Sequence, residues 1–395
     1  MNGGWIMGTV NKFDFTIAVA PKTMSIEQDM QYIKSALLYS DSITLISPMA
    51  SAYYMLTDSS HQKNENSVVN LIYKVLPFCE AADPVTCGNF RSALNEFKNI
   101  LSNKSYKHLP LKQTLPIKTA LKNFCKELIN VLHVNLDEHQ CNDLTSLIKD
   151  GKVKLYNFQH TLDDIDGCTN EFYSQIKKSV EHQNTFPLFD KQSNDLINAA
   201  VSEDLIVLNE TNKFNASHAG LTNNLLVALP SFEYASVSEI VDIRKHLKNP
   251  LIRFRSKMLS YNDEIQKMPW DKEFDQECSR LYAKEIAPQV LEIQEMTQDA
   301  NFLKNLGYKM IGDDSIYKAA GGLIVSIAAA GTVAAFSDVI SADHAALATG
   351  GTFVVSKITQ AYLDYTKTQK AIQRKDMFFY YKAGKTLNKQ NNHPV

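Results

Sequence analysis

The feature that most constrains this chain is a double change of hydrophobic period close to its N-terminal end. Residues 13–20 alternate between large apolar side chains and small or polar ones, which predicts a strand. Apolar residues then recur at helical spacing over Ser25–Tyr39, where Ser25 and Gln28 have the spacing of a capping box. A second apolar run, Ile43–Ile46, predicts another strand. This order predicts a βαβ unit whose two strands are parallel.

The rest of the chain predicts mostly helices. Glycine and proline are scarce, at 15 and 12 of 395 residues, which leaves few tight turns. Residues 66–150 carry apolar stripes at helical spacing, and a parallel sheet needs helices on both faces. Short apolar runs at 151–158, 205–208 and 225–229 are expected to complete the sheet. We therefore expect an α/β fold, predominantly helical, in which a small parallel sheet packs with helical layers and a C-terminal helical hairpin module follows.

Two domains are expected from this pattern. The first, 1–232, is an α/β domain with a helical insertion at 60–150. The second, 233–395, is helical and contains a hairpin rich in alanine and glycine at 316–382.

The second domain opens on another capping box, formed by Ser236 and Glu239. The helix that begins there is expected to kink or break at Pro250 and to resume toward residue 267. A turn at Met268–Trp270 then leads into a long helix over 273–307.

Cysteine usage and the first residues predict the compartment. No two of the six cysteines are closer than eight residues, so no CxxC pair exists, and reduced buried thiols are expected. The opening residues carry neither a basic segment nor an apolar one of the kind that directs secretion. We expect a cytoplasmic protein, with inner-membrane association as the alternative.

The common catalytic and phosphate-binding motifs are missing from the sequence. The link at Pro21–Met24 holds no glycine, and neither GxGxxG, a Walker loop nor GxSxG occurs. An apparent calcium loop around Asp164 fails because Leu162 and Tyr173 stand where ligands are needed. This acidic segment is therefore expected to be a helix N-terminal turn. The sequence predicts no catalytic residue, no metal site and no cofactor.

A basic segment is the first feature that indicates binding. Residues 244–257 contain six lysines and arginines and no acid, whereas 263–299 contain ten acids and four bases. One interpretation is a site for nucleic acid, an anionic ligand or an acidic partner. The other is that the acidic helix folds back and neutralises the basic one. The Arg253-Phe254-Arg255 triplet favours recognition, and the candidate residues are Arg244, Lys248, Arg253, Phe254, Arg255 and Lys257.

The hairpin is the second such feature. Ala319–Phe336 has no charge, a second apolar run spans Ala345–Ser356, and Phe378–Tyr381 lies in a basic tract beyond it. A membrane hairpin is one interpretation, and a buried helical hairpin is the other. The second arm has 12 residues before Lys357, short of the roughly 20 that span a bilayer, which favours the buried hairpin. The glycines that would let the arms pack closely are Gly321, Gly322, Gly331, Gly350 and Gly351.

Several segments resemble a group of uncharacterised bacterial proteins. They are the run Lys34–Ile43 with Ile46-Ser47-Pro48, then Leu229-Pro230, Arg253-Phe254-Arg255 and Phe378–Lys382. Proteins of this group often lie in accessory or phage-defence loci, so the resemblance implies an accessory role and no particular chemistry.

Three functional hypotheses follow. The first is a non-enzymatic bacterial accessory or antiviral-defence component that binds another macromolecule, with a protein as the expected partner, and forms a homo-oligomer. The second is an effector that inserts the 316–382 hairpin into a membrane. The third is an unrecognised hydrolase with a cleft near Pro230.

Overall fold

A computed structural model describes residues 12–21, 26–57, 84–103, 110–135, 138–160, 164–297 and 370–390, together with the single residues 69, 73 and 76. The protein is mostly helical with a small four-stranded parallel sheet, as the sequence predicts. It divides into two compact units. The first unit comprises 1–223 with 268–271, and the second comprises 224–267 with 272–395.

The first unit is the α/β part of the chain. Its elements, in order, are strand β1 (Asp14–Ala18), helix α1 (Glu27–Tyr39), strand β2 (Ser42–Ile46), helices α2 (Pro48–Thr57), α3 (Pro84–Ser102), α4 (Leu111–Asn135) and α5 (Glu138–Lys149), strand β3 (Val153–Leu155), helix α6 (Ile165–Glu181), strand β4 (Phe186–Phe189), helix α7 (Lys191–Ser202) and most of helix α8 (Glu210–Val227).

The sheet confirms the predicted βαβ unit. Its strand order is β3-β2-β1-β4, and all three pairings are parallel. The register places Val153, Ile43, Phe15 and Phe186 in one row across the sheet, each at most 3% exposed. Apolar side chains on neighbouring strands therefore bury one another, which stabilises the parallel arrangement.

Two of the predicted strands are wrong and one was missed. Residues 205–208 form a loop after α7, and 225–227 are the last residues of α8. The apolar run at 225–229 is a buried helix end, in which Leu225, Leu226 and Leu229 are fully buried. A short segment that is buried on all sides is continuously apolar whether it is a helix or a strand, so its sequence does not distinguish the two. The missed strand is β4, which contains Pro187 and, among the described strands, pairs with β1 alone.

The second unit is helical. Its elements are the end of α8, a 3-10 turn (Phe232–Tyr234), helices α9 (Val237–His246), α10 (Lys248–Asn262) and α11 (Phe274–Leu281), a π-helical turn (Tyr282–Ile286), and helices α12 (Ala287–Thr297) and α13 (Phe378–Gln390). The predicted capping box is present at the start of α9, where Ser236 and Glu239 each accept from the other's backbone N–H.

The helix break falls at Leu247 rather than at Pro250. Pro250 instead lies in the first turn of α10, where a missing N–H removes no helical hydrogen bond. The predicted turn at Met268–Trp270 is confirmed. The long helix expected after it is interrupted by the π-helical turn just before Pro288, and its residues beyond 297 lie outside the described ranges.

An aromatic core organises the second unit. The Phe254 ring of α10 stacks on Phe379 and Tyr380 of α13 at centroid distances of 5.2 and 6.1 Å. The Tyr380 hydroxyl donates to the Leu225 carbonyl over 3.0 Å, and the Tyr381 hydroxyl lies 2.7 Å from that of Thr297. Phe378–Tyr381 are therefore core residues here, and none of them is exposed as a membrane-interface anchor.

The predicted Ala/Gly hairpin lies almost wholly outside the described residues. Gly321, Gly322, Gly331, Gly350 and Gly351 all belong to 298–369, and only 370–382 of the hairpin module is described. Within the described ranges, no helix combines the length and the apolar character that crossing a membrane requires.

Candidate functional site: a basic cleft

A cleft of about 530 Å³ opens in the second unit where α9 ends and α10 begins. Its other wall is the helical stretch 370–373, the turn after it and the start of α13. Six basic side chains line it, and no described lining residue is acidic; the six are Lys245, His246, Lys248, Arg253, Lys370 and Arg374. We call this cavity the basic cleft.

The local sequence explains why these cations gather. The last turn of α9 holds Arg244, Lys245 and His246, and positive side chains are favourable at a helix C-terminus. The break at Leu247 starts α10 one residue later, so Lys245 and Lys248 line the same cavity.

Arg253 connects the two walls of the basic cleft. Its guanidinium Nη2 donates a hydrogen bond to the backbone carbonyl of Gln373. Its Nε is buried and has no hydrogen-bond partner among the described residues. Arg253 therefore serves both as a structural contact and as a cation of the lining.

The remaining cations of the basic cleft are open to solvent. Lys245, Lys248, Lys370 and Arg374 are exposed, and none of them forms an ion pair with a described residue. His246 is also exposed, and its Nδ1 lies 2.8 Å from the Asp242 carbonyl of its own helix. Among the described residues, the cavity is therefore lined by basic side chains that no described ion pair neutralises.

The acidic residues after α10 have partners away from the lining of the basic cleft. Glu277 accepts from the backbone N–H groups of Gln266 and Lys267 at 2.9 and 3.0 Å. Glu264 lies 3.5 Å from Lys284, and Glu292 lies 2.7 Å from Lys375. These contacts belong to the turn and to the flank of the cavity, so in the described residues they leave its lining cations unneutralised.

The structure places the predicted binding residues in three environments. Lys248 and Arg253 line the basic cleft. Phe254 is fully buried in the aromatic core, so the prediction that a partner contacts it is corrected to a packing role. Arg244, Arg255 and Lys257 are half-buried outside the lining, and the Lys257 ammonium lies 4.7 Å from the Tyr261 ring centre.

Sequence reasoning missed half of the cavity. Lys245 and His246 are in the basic segment but were not candidates, and Lys370 and Arg374 come from a separate basic tract. The sequence signal that could have found them is a second cluster of basic residues far along the chain. The packing of α10 against the C-terminal segment brings this cluster next to the basic segment 244–257.

A second polar cluster lies at the carboxyl end of the sheet in the first unit. Asp190 caps α7 by accepting from the Ser193 N–H at 3.0 Å, and Ser47 accepts from the Ala50 N–H at the start of α2. Asp29, in the first turn of α1, is 1% exposed, and neither of its oxygens has a described partner of normal geometry. Burial raises the pKa of Asp29 to about 7; the nearby Ser47 hydroxyl opposes the rise and the Asp190 charge adds to it.

Two histidines of the first unit, His160 and His218, have partners of their own. His160 Nδ1 lies 2.9 Å from the carboxylate of Asp164, the N-cap of α6, so the acidic segment there is the predicted helix N-terminal turn. His218 is fully buried among aromatic rings, with Nε2 2.9 Å from the Tyr39 hydroxyl. Pro230, near which a hydrolase cleft was considered, is buried as well.

Thiols and metal-binding groups give no second candidate. Cys141, Cys168 and Cys278 are free and buried, as the sequence predicts for its thiols, and burial raises the pKa of Cys278 to about 12. In the described part of the chain, no three His, Cys, Asp or Glu side chains are grouped to hold a metal ion.

Comparison with known proteins adds no relative. No family model, no curated protein and no solved structure matches the chain.

Proposed function

We propose that this protein is a non-enzymatic binding protein that takes up an anionic part of a macromolecular partner in the basic cleft. The observation that carries the proposal is the lining itself, with six basic side chains around about 530 Å³ and no described acid among them. A bacterial accessory or antiviral-defence role, and assembly into a homo-oligomer, belong to the same proposal.

Electrostatics support this function. Like charges gathered in one cavity repel one another, and a bound anion relieves that repulsion. A single exposed ion pair contributes at most about 1 kcal/mol, so several cations acting on one ligand are needed for useful affinity. A concave surface of one sign also attracts its ligand over distance and raises the association rate.

The two other hypotheses have less support. The membrane hypothesis depends on the 316–382 hairpin, most of which lies outside the described residues. The hydrolase hypothesis needs a nucleophile and a base within reach of a cavity, and the described lining of the basic cleft contains no serine, cysteine, aspartate or glutamate.

The test compares two double variants of equal charge change. Lys248→Ala with Arg374→Ala removes a lysine and an arginine from the basic cleft. Arg280→Ala with Lys284→Ala removes the same pair of residue types from the exposed surface of the same unit. Binding of fluorescent polyglutamate and of fluorescent oligothymidylate is then measured by anisotropy.

We expect the intact chain to bind at least one of the two polyanions, and the cleft variant to lose most of that affinity. The control variant should stay close to the intact chain. Failure of both polyanions to bind, or equal losses in the two variants, would contradict the proposed function.

A further inference from the structure

We infer that the ligand of the basic cleft is a cluster of phosphate groups rather than the carboxylates of an acidic protein. This inference rests on the proposed function and specifies the chemistry of its ligand. It follows from three properties of the lining: its charge density, its lack of an exposed apolar anchor, and the start of α10 within it.

Charge density comes first. Two segments of the chain, 245–253 and 370–374, place their cations around one cavity. The matching ligand carries several negative charges at short, regular spacing, as consecutive phosphates do. Each phosphate also offers several acceptor oxygens to lysine and arginine, and the planar arginine fork suits them in pairs.

The apolar part of the lining argues against a protein partner. Protein interfaces depend on exposed aromatic or aliphatic anchors surrounded by polar residues. Phe378, the one phenyl ring among the described lining residues, is only 8% exposed, and Leu247 and Pro250 are half-buried. An acidic peptide would find charge in the basic cleft but little apolar surface to bury.

The start of α10 adds anion-binding capacity of a kind that suits phosphate. Leu247 provides no side-chain cap, and the first turn contains no acidic residue. Lys248 and Asn249, the first two residues of this helix, both line the cavity. The first N–H groups of a helix have no intrahelical partner, so those of Lys248 and Asn249 can donate to a phosphate and reinforce the side-chain cations that surround the cavity.

The same lining predicts indifference to the nucleobase. Proteins that read single strands through bases present exposed aromatic rings on which the bases stack. The described lining offers no exposed Phe, Tyr or Trp ring, because Phe378 is buried, and the small imidazole of His246 is its one exposed aromatic group. The recognised chemistry is therefore the phosphate cluster alone, whether it belongs to the backbone of a nucleic-acid strand or to a small polyphosphate.

The experiment measures anisotropy of labelled oligothymidylate and of polyglutamate of matched charge, with inorganic tripolyphosphate as competitor. We expect the oligonucleotide to bind at least about tenfold more tightly than polyglutamate. The slope of log K against log salt should be about −0.7 per phosphate contacted. Lys248→Ala with Arg374→Ala should flatten that slope by about 1.4, and the Arg280→Ala, Lys284→Ala control should leave it unchanged.

The outcomes separate this inference from the proposed function. Polyglutamate binding as tightly as the oligonucleotide would overturn the phosphate inference and leave the proposed function standing. No binding of either polyanion would overturn both. Competition by tripolyphosphate at equal charge would support a compact polyphosphate ligand, and binding of the oligonucleotide without such competition would support a nucleic-acid strand.

Discussion

The guanidinium of Arg253 donates a hydrogen bond to the backbone carbonyl of Gln373, a residue 120 positions further along the chain. This contact joins α10 to the segment that forms the opposite wall of the basic cleft. A cation of the binding surface therefore also holds that surface together, so stability and binding have to be measured separately for this residue.

Replacing Arg253 by alanine is expected to lower both the stability of the protein and its affinity for an anionic ligand. The loss of one hydrogen bond from a charged donor should lower the free energy of unfolding by about 1.5–3 kcal/mol. Affinity for oligothymidylate should fall as well, since a cation leaves the lining. Arg253→Lys keeps the charge and loses the planar fork. Its affinity should therefore stay close to that of the natural chain, while its free energy of unfolding should fall. Urea unfolding and anisotropy on the same samples check this, and an alanine variant with unchanged stability would contradict the bridging role.

Phe254 is expected to act in the core and not in binding. Its ring is fully buried and stacks on Phe379 at 5.2 Å. Phe254→Ala should therefore cost about 3–5 kcal/mol of unfolding free energy. Ile252 is 59% exposed on the same helix, and Ile252→Ala should change stability by less than about 0.5 kcal/mol. Thermal and urea unfolding of both variants test this, and equal stabilities would show that Phe254 is not a core residue.

Asp29 predicts a dependence of stability on pH. Burial raises its pKa from 3.8 to about 7, so the folded chain binds this proton more tightly than the unfolded chain. The associated stability is fully present below about pH 4 and is lost progressively as the pH rises toward 7. Asp29→Asn should therefore be more stable than the natural chain at pH 8, by a few kcal/mol at most, with a smaller difference at pH 5.

The matched control for this prediction is Asp195→Asn. Asp195 is an exposed aspartate on α7 that pairs with Lys191 over 2.8 Å. Its replacement should change stability little at either pH. Urea unfolding at pH 5 and pH 8 measures all three proteins, and an Asp29→Asn variant whose gain does not increase with pH would refute the assignment.

The capping box predicts a local contribution to stability. Ser236 accepts from the Glu239 N–H at 3.2 Å, and the Glu239 carboxylate accepts from the Ser236 N–H at 2.8 Å. Ser236→Ala should lower the free energy of unfolding by about 1 kcal/mol, whereas Ser236→Asp should retain most of it. Urea unfolding distinguishes these cases, and equal losses in the two variants would exclude capping as the cause.

Gly331 tests the hairpin that the sequence predicts. If the hairpin is buried in the protein, Gly331→Leu should destabilise it by about 1–3 kcal/mol through overpacking. If it inserts into a membrane, the stability should not change and membrane association should. Fractionation with a carbonate wash, together with thermal unfolding, separates the two. Recovery of the natural chain in the membrane pellet would favour the membrane hypothesis.

The βαβ start was predictable because its signals are local: a period of two, a helical period and a period of two again. Strand β4 was not, since its four residues give too short a pattern and Pro187 is atypical of strands. The run at 225–229 was mistaken for a strand because its leucines are buried in a helix end. The local hydrophobic pattern therefore distinguishes a helix from a strand only where the element is long or where one of its faces is apolar and the other polar.

For the candidate site, the sequence revealed one wall. The basic segment 244–257 is visible as a run of charge. Proline chemistry predicts a helix break at Pro250, and the structure has the break three residues earlier, at Leu247. The contribution of Lys370 and Arg374 depends on tertiary packing, which a single sequence does not encode in any local pattern. The burial of Phe254 also depends on tertiary packing. In the sequence, a lone aromatic residue between two arginines fits a binding anchor and a core residue equally well.

The ends of the sheet bear on how copies of this chain meet. In the described residues β4 is one outer strand, and its Pro187 has no N–H to offer an incoming strand. The other outer strand, β3, is three residues long. Sheet extension between copies, the common route to fibres, is thereby disfavoured at both described edges. Among the described surfaces, those of the helices are therefore expected to meet in ordered self-association.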